Sequence, residues 1–273
     1  MLNYSPDFIY KLSDHLQENN QLESLIQQFI TDYDLVPCFG VEIEFYLSKD
    51  IDLKQFEAML GLIIKKEKGD NQFEVDLPPT TNLTKYANQI TDLKANIVTI
   101  AKQLGGEANF QSKPFINDYG NSMHFHINFL SSSKCEHQDQ DKILSIAAKS
   151  LCHFMLDTFV IFLPQEEDYL RLDSAFMAPT YVSYGNNNRT VAIRMPDLLP
   201  KRLEHRLPSP SADPYLVMFT ILKSILLGLQ FPEQVNELPK IYGNAFDRQY
   251  KLIAFPRSMK EATTLLKIKL LFD

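Results

Sequence analysis

Pairs of ionisable side chains two residues apart recur at three distant places in this chain: Glu42 and Glu44 around Ile43, His124 and His126 around Phe125, Glu204 and Arg206 around His205. On a β-strand that spacing puts both members of a pair on one face. The flanking residues (Val41, Phe45, Tyr46 and Leu47; Met123, Ile127 and Phe129) are apolar or β-branched, so the alternate positions read as the buried side of each strand. Several strands then point carboxylates, imidazoles and a guanidinium at one cavity. Carboxylates crowded in this way repel one another unless a multivalent cation sits between them. Oxygen donors with one imidazole suit Mg²⁺ or Mn²⁺ better than zinc. Arg171, Arg189, Arg194 and Arg206 belong to the residue type that grips anionic oxygens in pairs. Taken singly, each feature has a plainer reading: a solvated strand face, a satisfied core histidine, a surface charge such as Glu67 or Glu74. Together they read as a metal–phosphate site built on a sheet.

The elements that must hold these residues are legible from periodicity. Leu22, Leu25, Ile26, Phe29 and Ile30 recur at helical spacing over 21–33 and lead into a strand over 39–47. Asp52 can cap a helix with Phe56, Met59, Leu60 and Ile63 on one face. A turn at Gly69-Asp70-Asn71 precedes a strand through Phe73–Val75, and residues 82–104 form the clearest helix, stopped by Gly105-Gly106. The His-x-His strand follows an irregular loop over 113–120, and a long helix then reaches to about Phe162. Residues 181–194 read as a hairpin with a Gly/Asn turn. The Glu204 strand, a Pro-rich turn and a buried helix over 215–229 complete the core. This order of elements predicts an α+β fold, an antiparallel or mixed sheet covered by helices.

The 273 residues, 45% of them hydrophobic, suffice for one large domain or two small ones, and no repeat or linker marks a division. The 27 basic and 34 acidic residues give a net charge of −7, with no basic stripe beyond Lys65-Lys66 with Lys68 and Lys201-Arg202. That argues against a nucleic-acid or anionic-membrane partner. Cys38, Cys135 and Cys152 lack C-x-x-C spacing and read as free thiols of a reducing compartment. No signal peptide is visible, and charges interrupt the two greasiest segments, 143–163 and 215–229. A cytoplasmic protein is expected.

Read in order, the motifs resemble the catalytic domain of glutamine synthetase. Gly40–Phe45 resembles that family's Gly-x-Glu-x-Glu-Phe strand, and Glu67–Glu74 its Glu…Gly-Gln-x-Glu segment. Lys113–His126 is similar to the Lys-Pro…Asp-Asn-Gly-Ser-Gly-Met-His-x-His run, and Tyr169–Leu172 to Ser-Tyr-x-Arg-Leu. Asn188–Pro196 is similar to Asn-Arg-Ser-Ala-x-Ile-Arg-Ile-Pro, and Leu203–Tyr215 to Ile-Glu-x-Arg-x-Pro-Asp-Pro-Ser-Ala-Asn-Pro-Tyr. The resemblance is collinear from about residue 20 to 268 and implies a curved sheet with helices on its outer face. It implies that residues 1–273 are a single catalytic domain without the family's N-terminal β-grasp domain. It also implies two Mg²⁺ or Mn²⁺ sites, Glu44, Glu67 and Glu74 at one and Glu42, His124 and Glu204 at the other. His126, Arg189 and Arg194 would contact ATP phosphates. Gly120, His124, Arg171 and Arg206 would face the substrate, with Arg171, Arg189 and Arg206 serving the phosphoryl transfer.

The implied activity is that of an ATP-dependent carbon–nitrogen ligase of nitrogen metabolism. It would phosphorylate the glutamate γ-carboxylate and pass the acyl group to ammonia or a larger primary amine. Its partners would be small molecules: a carboxylate such as glutamate, an amine and ATP. A homo-oligomer is left open, because the family's rings build active sites between subunits with the domain not seen here. Two further departures bear on the amine and acid. Met177 stands where the family has a flap glutamate that deprotonates ammonium, and Tyr119 replaces the glutamate-contacting Asn. These favour a larger amine. The alternative is a degenerate, nucleotide-binding or regulatory relative without turnover.

Overall fold

The computed structural model describes residues 6–131, 140–235 and 238–267. The helices are α1 (Pro6–Glu18), α2 (Gln21–Tyr33), α3 (Leu53–Leu60), α4 (Leu83–Gln103), α5 (Gln140–Phe154), α6 (Phe159–Phe162), α7 (Pro214–Gln230) and α8 (Met259–Leu265). The strands are β1 (Leu35–Leu47), β2 (Ile64–Lys66), β3 (Gln72–Thr80), β4 (Ala108–Asn109), β5 (Met123–Ser131), β6 (Tyr184–Asn186), β7 (Ile193–Met195) and β8 (Leu203–His205). The strands form one mixed sheet in the order β2-β3-β1-β5-β8-β7-β6, with β4 paired to the end of β1. The expected α+β class is the one observed.

Register decides which side chains meet. Glu42 lies opposite Asp76 on β3 and His124 on β5, and Glu44 lies opposite Glu74. Lys65 lies opposite Glu74, while His126 and Arg194 lie opposite Glu204. Paired residues share a face, so all of these project from the same side of the sheet. The alternate residues Val41, Ile43, Phe45, Val75, Phe125 and Ile127 are buried on the other side in one cluster with α2, α4 and α7. The helix α7 is apolar nearly all round because it sits inside that cluster. Near the start of the β1–β3 pair, Phe39 is opposite Thr80 but Val41 is opposite Leu77, a bulge at Pro78-Pro79. Prolines cannot donate to the ladder, and a bulge accommodates them.

The helix ends follow side-chain chemistry. Asp52 accepts from Lys54 N and Gln55 N, Asn82 from Lys85 N, and Asp213 from Leu216 N. Helix α4 stops before Gly105, whose φ of 79° other residues rarely adopt.

Three expectations need correction. Residues 181–194 are not a hairpin: β6 and β7 run parallel, with Tyr184 opposite Ile193. Asn188 ties the intervening loop, accepting from Thr190 and donating to Gly243 O, and Asn187 takes φ 36°, so the chain turns a full circle before re-entering the sheet. The helix expected to run to Phe162 breaks after Phe154, and its two parts meet at 61°. Just past the break the Asp157 carbonyl accepts from Lys267 N, a distant residue. Ile63 lies beyond α3, which ends at Gly61 with φ 70°, and is exposed.

Cys38 and Cys152 are buried free thiols, and Cys135 lies outside the described residues. Among the described residues no single helix is long and apolar enough to cross a membrane.

Candidate active site

On the carboxylate-bearing face, Glu42, Glu44, Glu67, Glu74, His124 and Glu204 line a single cavity of about 330 Å³. Two groups within it have ligand atoms all within 4.8 Å of one another: Glu44 with Glu67 and Glu74, and Glu42 with His124 and Glu204. A third combination, Glu42 with Glu74 and Asp76, meets the same distance. Five carboxylates and one imidazole are a hard donor set of the kind Mg²⁺ and Mn²⁺ take.

The two main groups differ electrostatically. Burial, followed by the charges of Glu42, Glu44, Asp76 and Glu67, pushes the Glu74 carboxyl up to about 9. Burial and Glu44 also raise Glu67. For Glu42 and Glu204 burial acts the same way, but it is outweighed. Hydrogen bonds with His124 and His126 hold Glu42 well below the usual carboxylate range. The charges of His124, Arg206, His126 and Arg194 lower Glu204. One Glu204 oxygen lies 2.7 Å from Arg194 Nη1 and the other 3.2 Å from Arg206 Nε. The second group is therefore balanced by the protein's own donors. The Glu44 group is not, and a divalent cation would supply its missing charge.

His124 is oriented by Ser122. The Ser122 hydroxyl donates to Glu44 Oε2 at 2.6 Å and lies 2.8 Å from His124 Nε2. Its single proton is committed to Glu44, so Nε2 donates to the hydroxyl. Nδ1 is then the nitrogen turned toward the carboxylates, 3.6 Å from Glu42 and 3.5 Å from Glu204. A metal-binding histidine needs this arrangement.

The arginines surround the same space. Arg171 is 3% exposed; burial lowers its guanidinium to about 10, so it stays charged at neutral pH. It donates to the Leu207 carbonyl, and Arg206 donates to the carbonyls of Arg189 and Val191. Buried Nε atoms of Arg171 and Arg194 keep no hydrogen-bond partner among the described residues, while Arg206 Nε is turned to Glu204. Arg189 is exposed at the edge of the cavity. Gly120 leaves room for Arg171: a Cβ there would lie 2.5 Å from Arg171 Cγ and 2.5 Å from the Ser112 carbonyl.

His126 stands apart from the other expected residues. It opens on a neighbouring, more apolar cavity of about 610 Å³ with Cys38, Val41, Leu77, Leu199 and Arg202. Arg202 Nε donates to its Nδ1 at 3.1 Å, and its Nε2 lies 2.8 Å from Glu42 Oε1. Glu42 thus belongs to both cavities. Residues that the sequence motifs left unmarked are Ser122, Arg202, Asp76 and Lys65, whose ammonium contacts Glu74 at 3.4 Å and pairs with Asp76. Tyr119, Phe176, Met177, Ala178 and Pro179 also line the first cavity. Met177 has φ 60° and caps a turn over Ser174–Phe176, whose N-cap Asp173 accepts from Ala175 N.

Fold, donor groups and arginines together bring carboxylates, an imidazole and guanidiniums to one cavity on the face of a mixed sheet. The family profile described as "Glutamine synthetase, catalytic domain" matches residues 53–271, and the chain belongs to that family. Glu42 and Glu44 precede the matched span and are placed by β1 pairing. The chain is 31% identical over 212 residues to gamma-glutamylputrescine synthetase PuuA of Escherichia coli, covering 73% of this chain and 44% of that protein. It is 32% identical over 253 residues to glutamine synthetase of Thermotoga maritima, covering 86% and 56%. It spans about half the length of these curated relatives. The fold is shared with a GmaS/ADP complex, at TM-score 0.75 and 21% identity over 92% of this chain and 68% of that one. It is also shared with Plasmodium falciparum glutamine synthetase, at TM-score 0.70 and 15% identity over 90% and 69%.

Proposed function

We propose that this protein is an ATP-dependent carboxylate–amine ligase of glutamine synthetase type. The observation that carries the reading is the pair of cation-ready groups sharing one cavity with Arg171, Arg194 and Arg206. Glu44, Glu67 and Glu74 would hold one Mg²⁺ or Mn²⁺, and Glu42, His124 and Glu204 the other; bound there, the cations would neutralise the triphosphate and the phosphoryl group in transfer. The nucleoside would occupy the apolar cavity beside Glu42, with Arg202 and His126 at its boundary and Arg189 and Arg194 toward the phosphates. Arg171 and Arg206 would orient the glutamate carboxylates and stabilise charge as the γ-carboxylate attacks the γ-phosphorus and ADP leaves. The amine then attacks the acyl carbon, phosphate departs with the former carboxylate oxygen, and the nitrogen gives up a proton.

For the amine, a larger primary amine fits better than ammonia, because Met177 lines the cavity with a thioether rather than a carboxylate. One relative is named for γ-glutamylputrescine, the product of an amine larger than ammonia. The test is phosphate release from Mg·ATP and glutamate with ammonia or a panel of alkylamines. Activity with amines, a gain toward ammonia in Met177→Glu, and loss with every amine in Glu204→Ala are expected. Glutamine formation from ammonia at about 1 per second or faster would sink the specificity argument and leave plain glutamine synthesis. Folded protein whose melting temperature ignores Mg·ATP at millimolar concentrations would favour a relative without turnover.

A further inference from the structure

Asp168 is a carboxylate that the proposed chemistry does not use, and it is 2% exposed. It lies in the short turn Glu166–Arg171, three residues before Arg171. Its Oδ1 accepts from the Ser112 hydroxyl at 2.5 Å, and its Oδ2 from the Ser211 hydroxyl at 2.6 Å and from Gln165 N at 2.9 Å. The Ser211 oxygen lies 2.7 Å from the hydroxyl of fully buried Ser209. Ser211 gives its proton to Asp168, so Ser209 donates to Ser211 and the relay ends on the carboxylate. Three segments are thereby tied to one group: the loop before β5, the turn bearing Arg171 and the Pro-rich turn after β8. The same segments hold Arg171. Its guanidinium donates to the Leu207 carbonyl, and its stem lies against Gly120, next to which Asn121 N donates to the Ser112 carbonyl. Burial lowers that guanidinium, and the charges of Glu44 and then Asp168 oppose the effect.

Two departures from the motifs quoted above complement each other at this point. The Ser-Tyr-x-Arg-Leu motif has a serine where this chain has Asp168, and the Pro-Asp-Pro-Ser run has an aspartate where it has Ser209. Those two positions are joined here through a single hydroxyl, that of Ser211. A carboxylate at both would bury two like charges side by side. A hydroxyl at both would leave Ser112 and Gln165 N without their shared charged acceptor. One of each is what the junction holds. Resting on the ligase reading above, we infer that Asp168 is the positioning residue that fixes Arg171 for the glutamate carboxylate, and that its carboxylate has traded places with the hydroxyl of Ser209.

Reciprocal substitution separates the possibilities. Asp168→Ser, Ser209→Asp and the double variant are compared with the wild type by melting temperature. Titration calorimetry reads the affinities for glutamate and for Mg²⁺ with a non-hydrolysable ATP analogue, so turnover is not needed. Each single change should lower the melting temperature by about 5 °C or more, and the double variant should recover at least half of the summed loss. Glutamate affinity should fall at least about tenfold in Asp168→Ser while nucleotide affinity stays within about twofold, and the double variant should regain glutamate. Ser211→Ala, a milder change at a half-buried residue, cuts the link and should weaken glutamate binding in the same selective way, even where Asp168→Ser does not fold. A double variant that loses as much as the singles combined, or does not fold, overturns the exchange. Equal loss of glutamate and nucleotide, or undiminished glutamate binding in Ser211→Ala, overturns the positioning role. Wild-type protein that binds nucleotide but no glutamate would remove the ligase reading and that role with it, while the melting temperatures still decide the exchange.

Discussion

Ser122 gives its one hydroxyl proton to Glu44 and so fixes which nitrogen of His124 carries hydrogen. Ser122→Ala should therefore weaken Mg²⁺ binding about 10–100-fold, the usual cost of losing a ligand's supporting partner. Titration calorimetry reads this, and an unchanged affinity would mean that the hydroxyl does not orient the ring. His205, on the opposite face, is fully buried with neither ring nitrogen paired among the described residues, and burial pushes its pKa down to about 3. Between that value and the ordinary 6.5 the unfolded chain holds the extra proton. Stability is thus full above pH 6.5 and lost as pH falls toward 3, by up to about 1.4 kcal/mol per unit. His205→Leu should add roughly 1–2 kcal/mol at neutral pH and flatten the acid limb, as read by urea denaturation at pH 7 and pH 5. The candidate site was largely legible because alternate strand positions share a face. One more step of that rule reaches Ser122 before His124, Arg202 before Glu204 and Asp76 after Glu74. The contact of Lys65 with Glu74 and Asp76 depends on strand pairing, which spacing along the chain does not encode.

At the scale of elements, the long helix α4 and the buried helix α7 announced themselves through periodicity and caps. The parallel pair β6–β7 did not, since a Gly/Asn-rich loop signals reversal equally well whether the chain turns a half or a full circle. The break after Phe154 was also invisible, because Met155-Leu156-Asp157-Thr158 contains no glycine or proline to mark it. The loop from Ser112 to Ser122 positions the site through close packing rather than regular structure. Gln72 donates to the Gly120 carbonyl and to Asn121, and Asn121 donates to the carbonyls of Asn109 and Gln111. Gly120→Ala should cost about 1–3 kcal/mol, because its Cβ would press on the Ser112 carbonyl and the stem of buried Arg171. A melting temperature within a degree of wild type would show that the loop yields easily.

At the scale of the molecule, one sheet divides the labour. One face is buried against helices, while the other gathers carboxylates, of which the Glu44, Glu67 and Glu74 group is not balanced by the protein's own cations. The central claim is that a substrate carboxylate attacks ATP and leaves its oxygen on phosphorus when the amine displaces it. Glutamate labelled with ¹⁸O in its γ-carboxylate tests this directly, by mass spectrometry of the phosphate released with Mg·ATP and butylamine. One labelled oxygen per phosphate is predicted, with no phosphate from Glu204→Ala. Unlabelled phosphate, or none from folded wild-type protein, would contradict the account.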